Sequence, residues 1–268
     1  MGGGGPRPLG ELPAAVAGAL RGVAFDVDDT VTEAGRLPSA ALAAMERLAA
    51  AGLRLVAVTG RPLGWAEAMA SQWPVDLAVG ENGAGWCWRE EASGILRHGA
   101  WLDGPAARAR LEVLREGVRR VEADLGLARA DDQGSRRYDE AFEAPATEER
   151  RRAFEAVAEE LGLRAFVSSV HAHLSAGWDK VEGLRAAHRA RWGQPLEAER
   201  WLFVGDGLND APLFAALPHT VGVANVRGVL AALPVPPRWI TGASRAAGFV
   251  ELADRLLALR SAAAPAVR

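Results

Sequence analysis

Three aspartates lie within four residues near the start of the chain. Asp26, Asp28 and Asp29 belong to the stretch FDVDDT, at the end of the apolar run Val23–Val27, which is typical of a short buried strand. Carboxylates this close repel one another and are normally solvated on loops. Their position at the end of a buried strand therefore suggests that they bind something there.

A second group of carboxylates follows another apolar run. The stretch GDGLND, with Asp206 and Asp210, comes directly after the predicted strand Trp201–Gly205. Ligands of open parallel sheets bind beyond the carboxyl ends of the strands, so these aspartates should meet Asp26 and Asp28. Converging carboxylates need protons or a cation, and Mg²⁺ prefers oxygen ligands. The spacing therefore predicts a Mg²⁺ site at this edge.

Two further strand-end features supply groups that bind phosphate. TGR follows the predicted strand Leu53–Val58, where the Thr59 hydroxyl and the Gly60 amide are placed to bind phosphate oxygens. Lys180 is the single lysine among 31 basic residues, and a compact ammonium is not interchangeable with a guanidinium. A carboxylate nucleophile, a metal, a hydroxyl and an ammonium are the parts for phosphoryl transfer through an aspartyl-phosphate.

Each of these features, taken alone, also has an ordinary structural explanation. Paired aspartates often lie in turns, TGRP suits a turn before a helix with Pro at its first position, and Asn209 suits a helix N-cap. Lys180 alone suits a solvated helix. Their order along the chain, each at a strand end, favours the functional interpretation.

The elements that position these residues alternate between strand and helix. This order predicts a Rossmann-like parallel α/β sheet with right-handed crossovers. The expected elements of the first part are strands at 23–27, 53–58 and 76–80 and helices at 38–51 and 62–72. After residue 179 the same alternation returns, with a helix from Lys180, the strand at 201–205, a helix from Asn209, the strand TVGVA and a last helix near 244–259.

Between these two parts the pattern changes to that of an inserted α+β module. GWCWRE and GILRHG predict a hairpin, and RAFVSSVHAHLS predicts one or two strands. Helices are expected over 104–125 and 147–161, and a strand over 136–142. We therefore expect a flexible N-terminal segment at 1–20, a core domain at 21–83 and 178–268, and a cap domain at 84–177.

The four strand-end motifs together resemble those of a known superfamily. DVDDT, VTGR, Lys180 and GDGLND are similar to the four motifs of the haloacid dehalogenase (HAD) superfamily. The insertion between the second and third motifs resembles the type IIB cap of Cof-type sugar phosphatases, trehalose- and sucrose-phosphate phosphatases and phosphomannomutases. The resemblance covers nearly the whole chain from Gly22.

The resemblance implies a role for each motif residue. Asp26 would be the nucleophile, and Asp28 the general acid and then the general base. Mg²⁺ would be held by Asp26, the backbone carbonyl of Asp28 and Asp206, with Asp210 nearby. Thr59, Gly60 and Lys180 would hold the phosphoryl oxygens. The family usually has Gly where this chain has Asp29, which is expected to face solvent.

Several residues in and around the insertion are candidates for contact with substrate. By resemblance, Asn82 in the stretch ENG faces the active site, although a turn role explains it equally well. Arg136 and Arg137 could read the substrate from the cap or form a solvated face, and Asn209 is a further candidate. His171 and His173 share one strand face, where a structural role is favoured over metal binding.

Composition narrows the function further. The net charge of −3 over 268 residues gives no electrostatic case for nucleic acid or a membrane surface. The single cysteine, Cys87, excludes an internal disulfide and makes a cytoplasmic location the default expectation.

From the motifs and the resemblance together, we predict a Mg²⁺-dependent phosphatase of small phosphorylated metabolites, with a sugar phosphate as the expected substrate. A sugar phosphomutase and a non-catalytic sugar-phosphate sensor remain as alternatives. The stretch GWDK echoes the mutases, whereas TGRP and GDGLND have the phosphatase form.

Overall fold

A computed structural model describes residues 5–101, 107–167 and 171–263. In this part of the chain, strands form one large mixed sheet and one small antiparallel sheet. In chain order the strands are β1 (Arg7–Pro8), β2 (Gly22–Phe25), β3 (Arg54–Val58), β4 (Leu77–Gly80), β5 (Gly85–Arg89), β6 (Leu96–Ala100), β7 (Glu140–Glu143), β8 (Arg164–Val167), β9 (His171–Ser175), β10 (Trp201–Gly205), β11 (His219–Gly222) and β12 (Trp239–Ile240).

The large sheet confirms the predicted Rossmann-like α/β core. Its strand order is β1-β12-β11-β10-β2-β3-β4-β5-β6, and every pair from β1 to β4 is parallel. Strand β2 lies between β10 and β3, with Phe25 in register with Val204 and Ala57. The segments that follow these three strands therefore emerge side by side at one edge of the sheet.

The described residues form eight α-helices, of which all but the fourth and fifth cover the two faces of the large sheet. They are α1 (Ala14–Ala19), α2 (Ser39–Ala50), α3 (Leu63–Gln72), α4 (Ala107–Arg120), α5 (Glu148–Glu160), α6 (Lys180–Trp192), α7 (Ala211–Ala216) and α8 (Arg245–Ala263). Helices α1, α2, α3 and α8 share one apolar core, and α6 and α7 contribute to a second core on the opposite face. Such two-sided burial explains why the central strands are almost uniformly apolar. No helix within the described ranges is long and apolar enough to cross a membrane.

The N-terminal residues differ from the expectation of a flexible segment over 1–20. From Arg7 the chain adds the edge strand β1 to β12, and α1 packs on α8. Leu9, Leu12 and Leu20 are buried in the core. Burial of these leucines offsets the conformational entropy lost on ordering the segment, which its glycine-rich start concealed.

The predicted hairpin forms, but it belongs to the core sheet rather than to the insertion. Strand β5 pairs antiparallel with β4, and β6 pairs antiparallel with β5. The turn between β4 and β5 is tight because Glu81, Asn82 and Gly83 all have positive φ. The boundary expected at residue 84 therefore moves beyond β6.

The small sheet has the order β7-β9-β8 and is antiparallel throughout. Helices α4 and α5 pack on one face of it around Leu114, Phe142 and Phe154. RAFVSSVHAHLS forms two strands, with residues 168–170 outside the described part. The strand expected over 136–142 begins at Glu140, because Arg136 to Asp139 contact the core domain instead. Of the helix expected over 104–125, residues 104–106 are outside the described part, and α4 continues into a π-turn at Val121–Leu125.

The turn between β4 and β5 meets the first turn of α6 at a pair of glycines. A Cβ atom on Gly83 would overlap the Asp179 carbonyl, and one on Gly183 would overlap the Gly83 Cα. Both positions therefore require glycine, because backbone meets backbone there. This contact seats the start of α6, which carries Lys180, against the end of β4.

Candidate active site

Lys180 joins two of the predicted carboxylates at the carboxyl edge of the sheet. Its Nζ lies 2.5 Å from Asp26 Oδ1 and 2.7 Å from Asp210 Oδ1, and the side chain is 1% exposed. Burial alone lowers the pKa of Lys180, but Asp210 and Asp26 more than offset this, so the pKa is raised. The ammonium is therefore a fixed charge inside the site.

Asp210 organises the loop as well as binding Lys180. Its Oδ2 accepts hydrogen bonds from the backbone nitrogens of Asp206 at 2.9 Å and Gly207 at 3.0 Å. A Cβ on Gly205 would overlap this oxygen, which explains the glycine before Asp206. Both carboxylate oxygens of Asp210 are thus engaged by the protein. Among the predicted metal ligands, Asp210 is therefore the one whose contacts orient Lys180 and the backbone of Asp206 and Gly207.

Asp206 is the third member of the carboxylate group. Its two oxygens accept hydrogen bonds from Thr30 Oγ1 at 2.9 Å and Asn225 Nδ2 at 2.8 Å. Burial, followed by the nearby charge of Asp210, raises the pKa of Asp206 to about 7. Burial also raises the pKa of Asp26 well above its ordinary value, against the opposing effect of Lys180, with Asp210 and Asp206 adding to the rise.

This arrangement fits a divalent cation. Asp26, Asp206 and Asp210 each offer a carboxylate oxygen within 4.8 Å of the others. Three ionised carboxylates would be balanced by only one ammonium from Lys180. Burial raises the pKa values of Asp26 and Asp206, and repulsion between the carboxylates adds to the rise. Oxygen donors with unbalanced negative charge are the set that Mg²⁺ prefers. No other such group of three occurs within the described ranges.

Asp28 lies apart from this group and is bound by Arg61. Arg61 Nε lies 2.9 Å from Asp28 Oδ2, and Arg61 Nη2 lies 2.5 Å from Asp28 Oδ1. Hydrogen bonds to Asp28 raise the pKa of Arg61, and they outweigh the lowering effect of desolvation. The guanidinium also stacks over the ring of Trp65 at 4.7 Å. Asp28 is half-exposed and reachable from solvent.

The unusual Asp29 has a conformation that glycine normally adopts. Its φ is 54°, in the left-handed region that non-glycine residues rarely occupy. Aspartate tolerates this region better than most residues. The expectation that it faces solvent is met in part, because the half-exposed carboxylate also pairs with Arg245 Nε at 2.9 Å.

Thr59 and Gly60 occupy the adjacent strand end. The Thr59 nitrogen donates to the Val79 carbonyl at 2.9 Å, and the Arg61 nitrogen donates to Thr59 Oγ1 at 3.1 Å. Since the hydroxyl oxygen accepts this bond, its own hydrogen is available to donate to a ligand. Asn82 lies beside Gly60, where an added Cβ would come within 3.0 Å of Asn82 Oδ1. Asn82 thus lies next to the Thr59–Gly60 loop, within the turn that follows β4, and its contact with substrate stays a prediction.

The candidates from the insertion fall into different surroundings. Arg136 is buried and donates to the Gly60 carbonyl at 2.9 Å, whereas Arg137 is half-exposed and pairs with Glu67 at 2.8 Å. Asn209 is partly buried in the turn that follows β10. This turn packs against β8 of the small sheet.

The histidine pair takes part in a polar network rather than in a cluster of metal ligands. His173 Nδ1 lies 2.8 Å from Asp139 Oδ2, and the rings of His171 and His173 meet edge to face at 5.9 Å. Alternation along β9 places both on the face opposite the apolar core formed by α4 and α5. That the two histidines are structural stays a prediction.

Four residues of the site were not singled out from the sequence: Thr30, Arg61, Glu81 and Asn225. Arg61 lies within the recognised TGR stretch, and Asn225 follows β11 at the same sheet edge as the other motifs. The strand-end rule applied to β11 would have indicated Asn225. The same rule applied to β4 would have indicated Glu81, whereas only the folded chain shows that Thr30 binds Asp206.

Comparison with known proteins agrees with the motif resemblance. The family model described as haloacid dehalogenase-like hydrolase matches residues 23–97. No curated protein matches the chain. The fold is shared with the Thermoplasma acidophilum protein 0175, at 19% identity and a TM-score of 0.67, over 89% of this chain and 98% of that one.

Two further solved structures share the fold at similar identity. The sucrose-phosphatase of Synechocystis sp. PCC6803, solved with sucrose and phosphate, is 16% identical with a TM-score of 0.65, over 88% of this chain and 98% of that one. A subclass IIB sugar phosphatase of the superfamily, BT4131, is 16% identical with a TM-score of 0.60, over 91% of this chain and 99% of that one. At this identity the likeness concerns the fold.

Proposed function

We propose that this chain, a haloacid dehalogenase-like hydrolase by its family match and its fold, is a Mg²⁺-dependent phosphatase of small phosphorylated metabolites. The observation that carries the proposal is the buried contact of Lys180 with Asp26 beside two further carboxylates. An aspartate held by an ammonium at the end of a parallel strand is placed to attack phosphorus.

Asp26, Asp206 and the backbone carbonyl of Asp28 would hold the Mg²⁺, with Asp210 orienting Lys180 and the loop. When bound, the ion supplies charge neutralisation for the phosphoryl group. The Thr59 hydroxyl, the Gly60 amide and Lys180 are assigned to the phosphoryl oxygens.

The first half of the reaction transfers the phosphoryl group to Asp26. Lys180 binds Oδ1, which leaves Oδ2 of Asp26 to attack phosphorus. The bond from phosphorus to the leaving oxygen breaks, and the protonated Asp28 carboxyl gives its proton to that oxygen. The products are the free alcohol and an aspartyl-phosphate on Asp26.

The second half releases phosphate. The Asp28 carboxylate takes a proton from water while the water oxygen attacks phosphorus, and the acyl-phosphate bond breaks. Asp26 is restored as a carboxylate and Asp28 as an acid. Asp28 needs access to water for this step, and its half-exposed position supplies that access.

A sugar phosphate is the proposed substrate. Two solved structures that share the fold are named a sucrose-phosphatase and a sugar phosphatase. Arg136 of the insertion contacts the Gly60 carbonyl, and Asp139 links Arg136 to His173 of the small sheet, and such polar groups suit a leaving group rich in hydroxyls.

The test is phosphate release from a panel of phosphomonoesters, with Mg²⁺ or with EDTA. We expect steady release from at least one sugar monophosphate, which EDTA stops and added Mg²⁺ restores. Asp26→Asn should abolish release while circular dichroism stays unchanged, because the amide is nearly isosteric but a poor nucleophile. Wild-type turnover in freshly purified Asp26→Asn would contradict the proposal. Bisphosphate-dependent isomer interconversion without phosphate release would identify a mutase instead.

A further inference from the structure

A buried carboxylate fastens the insertion to the core domain next to the active site. Glu81 accepts four backbone N–H bonds, one from Leu63 at 2.9 Å and the others from Arg137, Tyr138 and Asp139 at 2.8 to 3.0 Å. The residue is fully buried. Leu63 is the first residue of α3 in the core domain. One side chain thus fixes residues 137–139 of the insertion against the start of α3, which follows the Thr59–Gly60 loop.

Arg136, which directly precedes this segment, makes a second contact between the insertion and the core domain. Its side chain is 2% exposed, and its guanidinium forms a two-pronged bond with Asp132. Nε lies 2.9 Å from Oδ1, and Nη2 lies 2.7 Å from Oδ2. The remaining nitrogen, Nη1, donates to Asp139 Oδ2 at 3.0 Å and to the Gly60 carbonyl at 2.9 Å. The two aspartates therefore fix the direction in which Arg136 meets Gly60.

The Gly60 carbonyl and the Arg61 N–H belong to the same peptide plane. Arg136 binds the carbonyl end of this plane, and Thr59 Oγ1 accepts from its N–H end at 3.1 Å. A peptide plane held at both ends cannot rotate. The acceptor side of the Thr59 hydroxyl is then occupied by the plane, and its hydrogen is left to point away from it.

We propose that Arg136 is a positioning residue that sets the phosphate affinity of the Thr59–Gly60 loop from within the insertion. When Arg136 holds the Gly60–Arg61 peptide, the Thr59 hydroxyl and the Gly60 amide are arranged for phosphate oxygens. Without Arg136 the plane is free to rotate. The Thr59 hydroxyl then loses the N–H that orients it, and Gly60, whose amide lies in the preceding peptide plane, loses its fixed ψ. The inference rests on the proposed function only in taking phosphate as the group that this loop binds.

The proposal separates Arg136 from a residue that reads the leaving group. A positioning role predicts the same loss for every ester, because all share the phosphoryl group. A residue that contacts the leaving group would affect some esters and leave inorganic phosphate unaffected. Inorganic phosphate is therefore the decisive probe.

The experiment compares wild type with Arg136→Gln in the full-length chain with Mg²⁺. We measure the dissociation constant of inorganic phosphate by calorimetry, and KM and kcat for p-nitrophenyl phosphate and two sugar monophosphates. Loss of one charge-assisted hydrogen bond leads us to expect a rise of about tenfold in the phosphate dissociation constant. KM should rise by the same factor for all three esters, with a smaller change in kcat.

A matched control comes from the same insertion. Arg150 is exposed and donates to the backbone carbonyl of Leu125 at 2.6 Å, within the insertion and away from the core domain. Arg150→Gln removes the same type of bond and should leave the phosphate dissociation constant at the wild-type value. A rise in this control equal to that of Arg136→Gln would contradict the proposal.

A second variant covers the case in which Arg136→Gln folds poorly. The substitution leaves the buried carboxylate of Asp139 without its guanidinium partner, which is a source of instability. Arg136→Gln with Asp139→Asn removes that charge, and an asparagine oxygen still accepts from His173. The double variant should regain wild-type circular dichroism and thermal midpoint but retain the weak phosphate binding.

The outcomes are distinguishable from failure of the proposed function. If wild type binds phosphate but releases none from any ester, the phosphatase proposal fails and the affinity comparison still tests Arg136. If a folded Arg136 variant binds phosphate like wild type, the inference is wrong. An increase of KM confined to one ester would also overturn it, in favour of a contact with that leaving group.

Discussion

Arg61 binds both carboxylate oxygens of Asp28, with Nε 2.9 Å from Oδ2 and Nη2 2.5 Å from Oδ1. A two-pronged bond of this kind fixes the orientation of the carboxylate. The proposed reaction needs Asp28 protonated when the alcohol leaves and ionised when water attacks. The contact with Arg61 therefore orients the group that is proposed to make both proton transfers.

Replacing Asp28 should separate the two halves of the reaction. Asp28→Asn should slow the release of alkyl alcohols, which need a proton, far more than the release of p-nitrophenol, which does not. Hydrolysis of the aspartyl-phosphate should be slow with either ester. Rapid-mixing experiments with p-nitrophenyl phosphate should thus show a burst approaching one p-nitrophenol per protein. A variant without a burst, and within a few-fold of wild type on an alkyl phosphate, would reject the role.

Lys180 should not tolerate arginine although the charge is retained. Its Nζ fits between Asp26 and Asp210 in a fully buried position, and the planar guanidinium is larger. We expect Lys180→Arg to lower kcat/KM by at least about 100-fold and unfolding free energy by about 1–3 kcal/mol. The reverse exchange, Arg189→Lys at an exposed position of α6, is the control and should change neither. A fully active Lys180→Arg would show that the single lysine is accidental.

Asp206→Asn should stabilise the metal-free protein and abolish its response to Mg²⁺. The pKa of Asp206 is raised to about 7, so the ionised form is disfavoured in the folded state. This penalty grows as pH rises from near the ordinary value of 3.8 and is complete above about 7. The thermal midpoint of the variant in EDTA should therefore exceed that of wild type more at pH 8 than at pH 5.

Mg²⁺ should raise the thermal midpoint of wild type, because it binds only the folded carboxylate site. The same addition should leave Asp206→Asn unchanged. Asp254→Asn, at an exposed carboxylate that pairs with Arg47, is the control and should respond to Mg²⁺ like wild type. An equal Mg²⁺ shift in Asp206→Asn would remove Asp206 from the proposed ligands.

Gly183→Ala should disturb the active site from outside it. The new Cβ would overlap the Gly83 Cα, so the start of α6 must move and carry Lys180 with it. We expect a loss of about 1–3 kcal/mol in unfolding free energy and a fall in kcat. Gly18→Ala in α1, where an added Cβ meets no atom within 4 Å, is the control. Unchanged stability and kcat in Gly183→Ala would show that this contact has room to relax.

The sequence determined the order of the core elements and the residues at their ends. Apolar runs alternating with amphipathic segments specify parallel strands and crossovers, and parallel strands bring their carboxyl ends to one edge. Asp26, Thr59 and Asp206 could therefore be placed together from local patterns. The motif resemblance added Lys180, which precedes its strand by a whole helix.

Only the tertiary structure decided how these groups are partnered. That Lys180 binds Asp210, that Arg61 binds Asp28 and that Arg136 reaches Gly60 are contacts between residues far apart in sequence. The ordered N-terminal segment and the assignment of β5 and β6 to the core sheet have the same origin. Local periodicity predicts that a segment will bury one face, but the surface that covers that face is chosen when the whole chain packs.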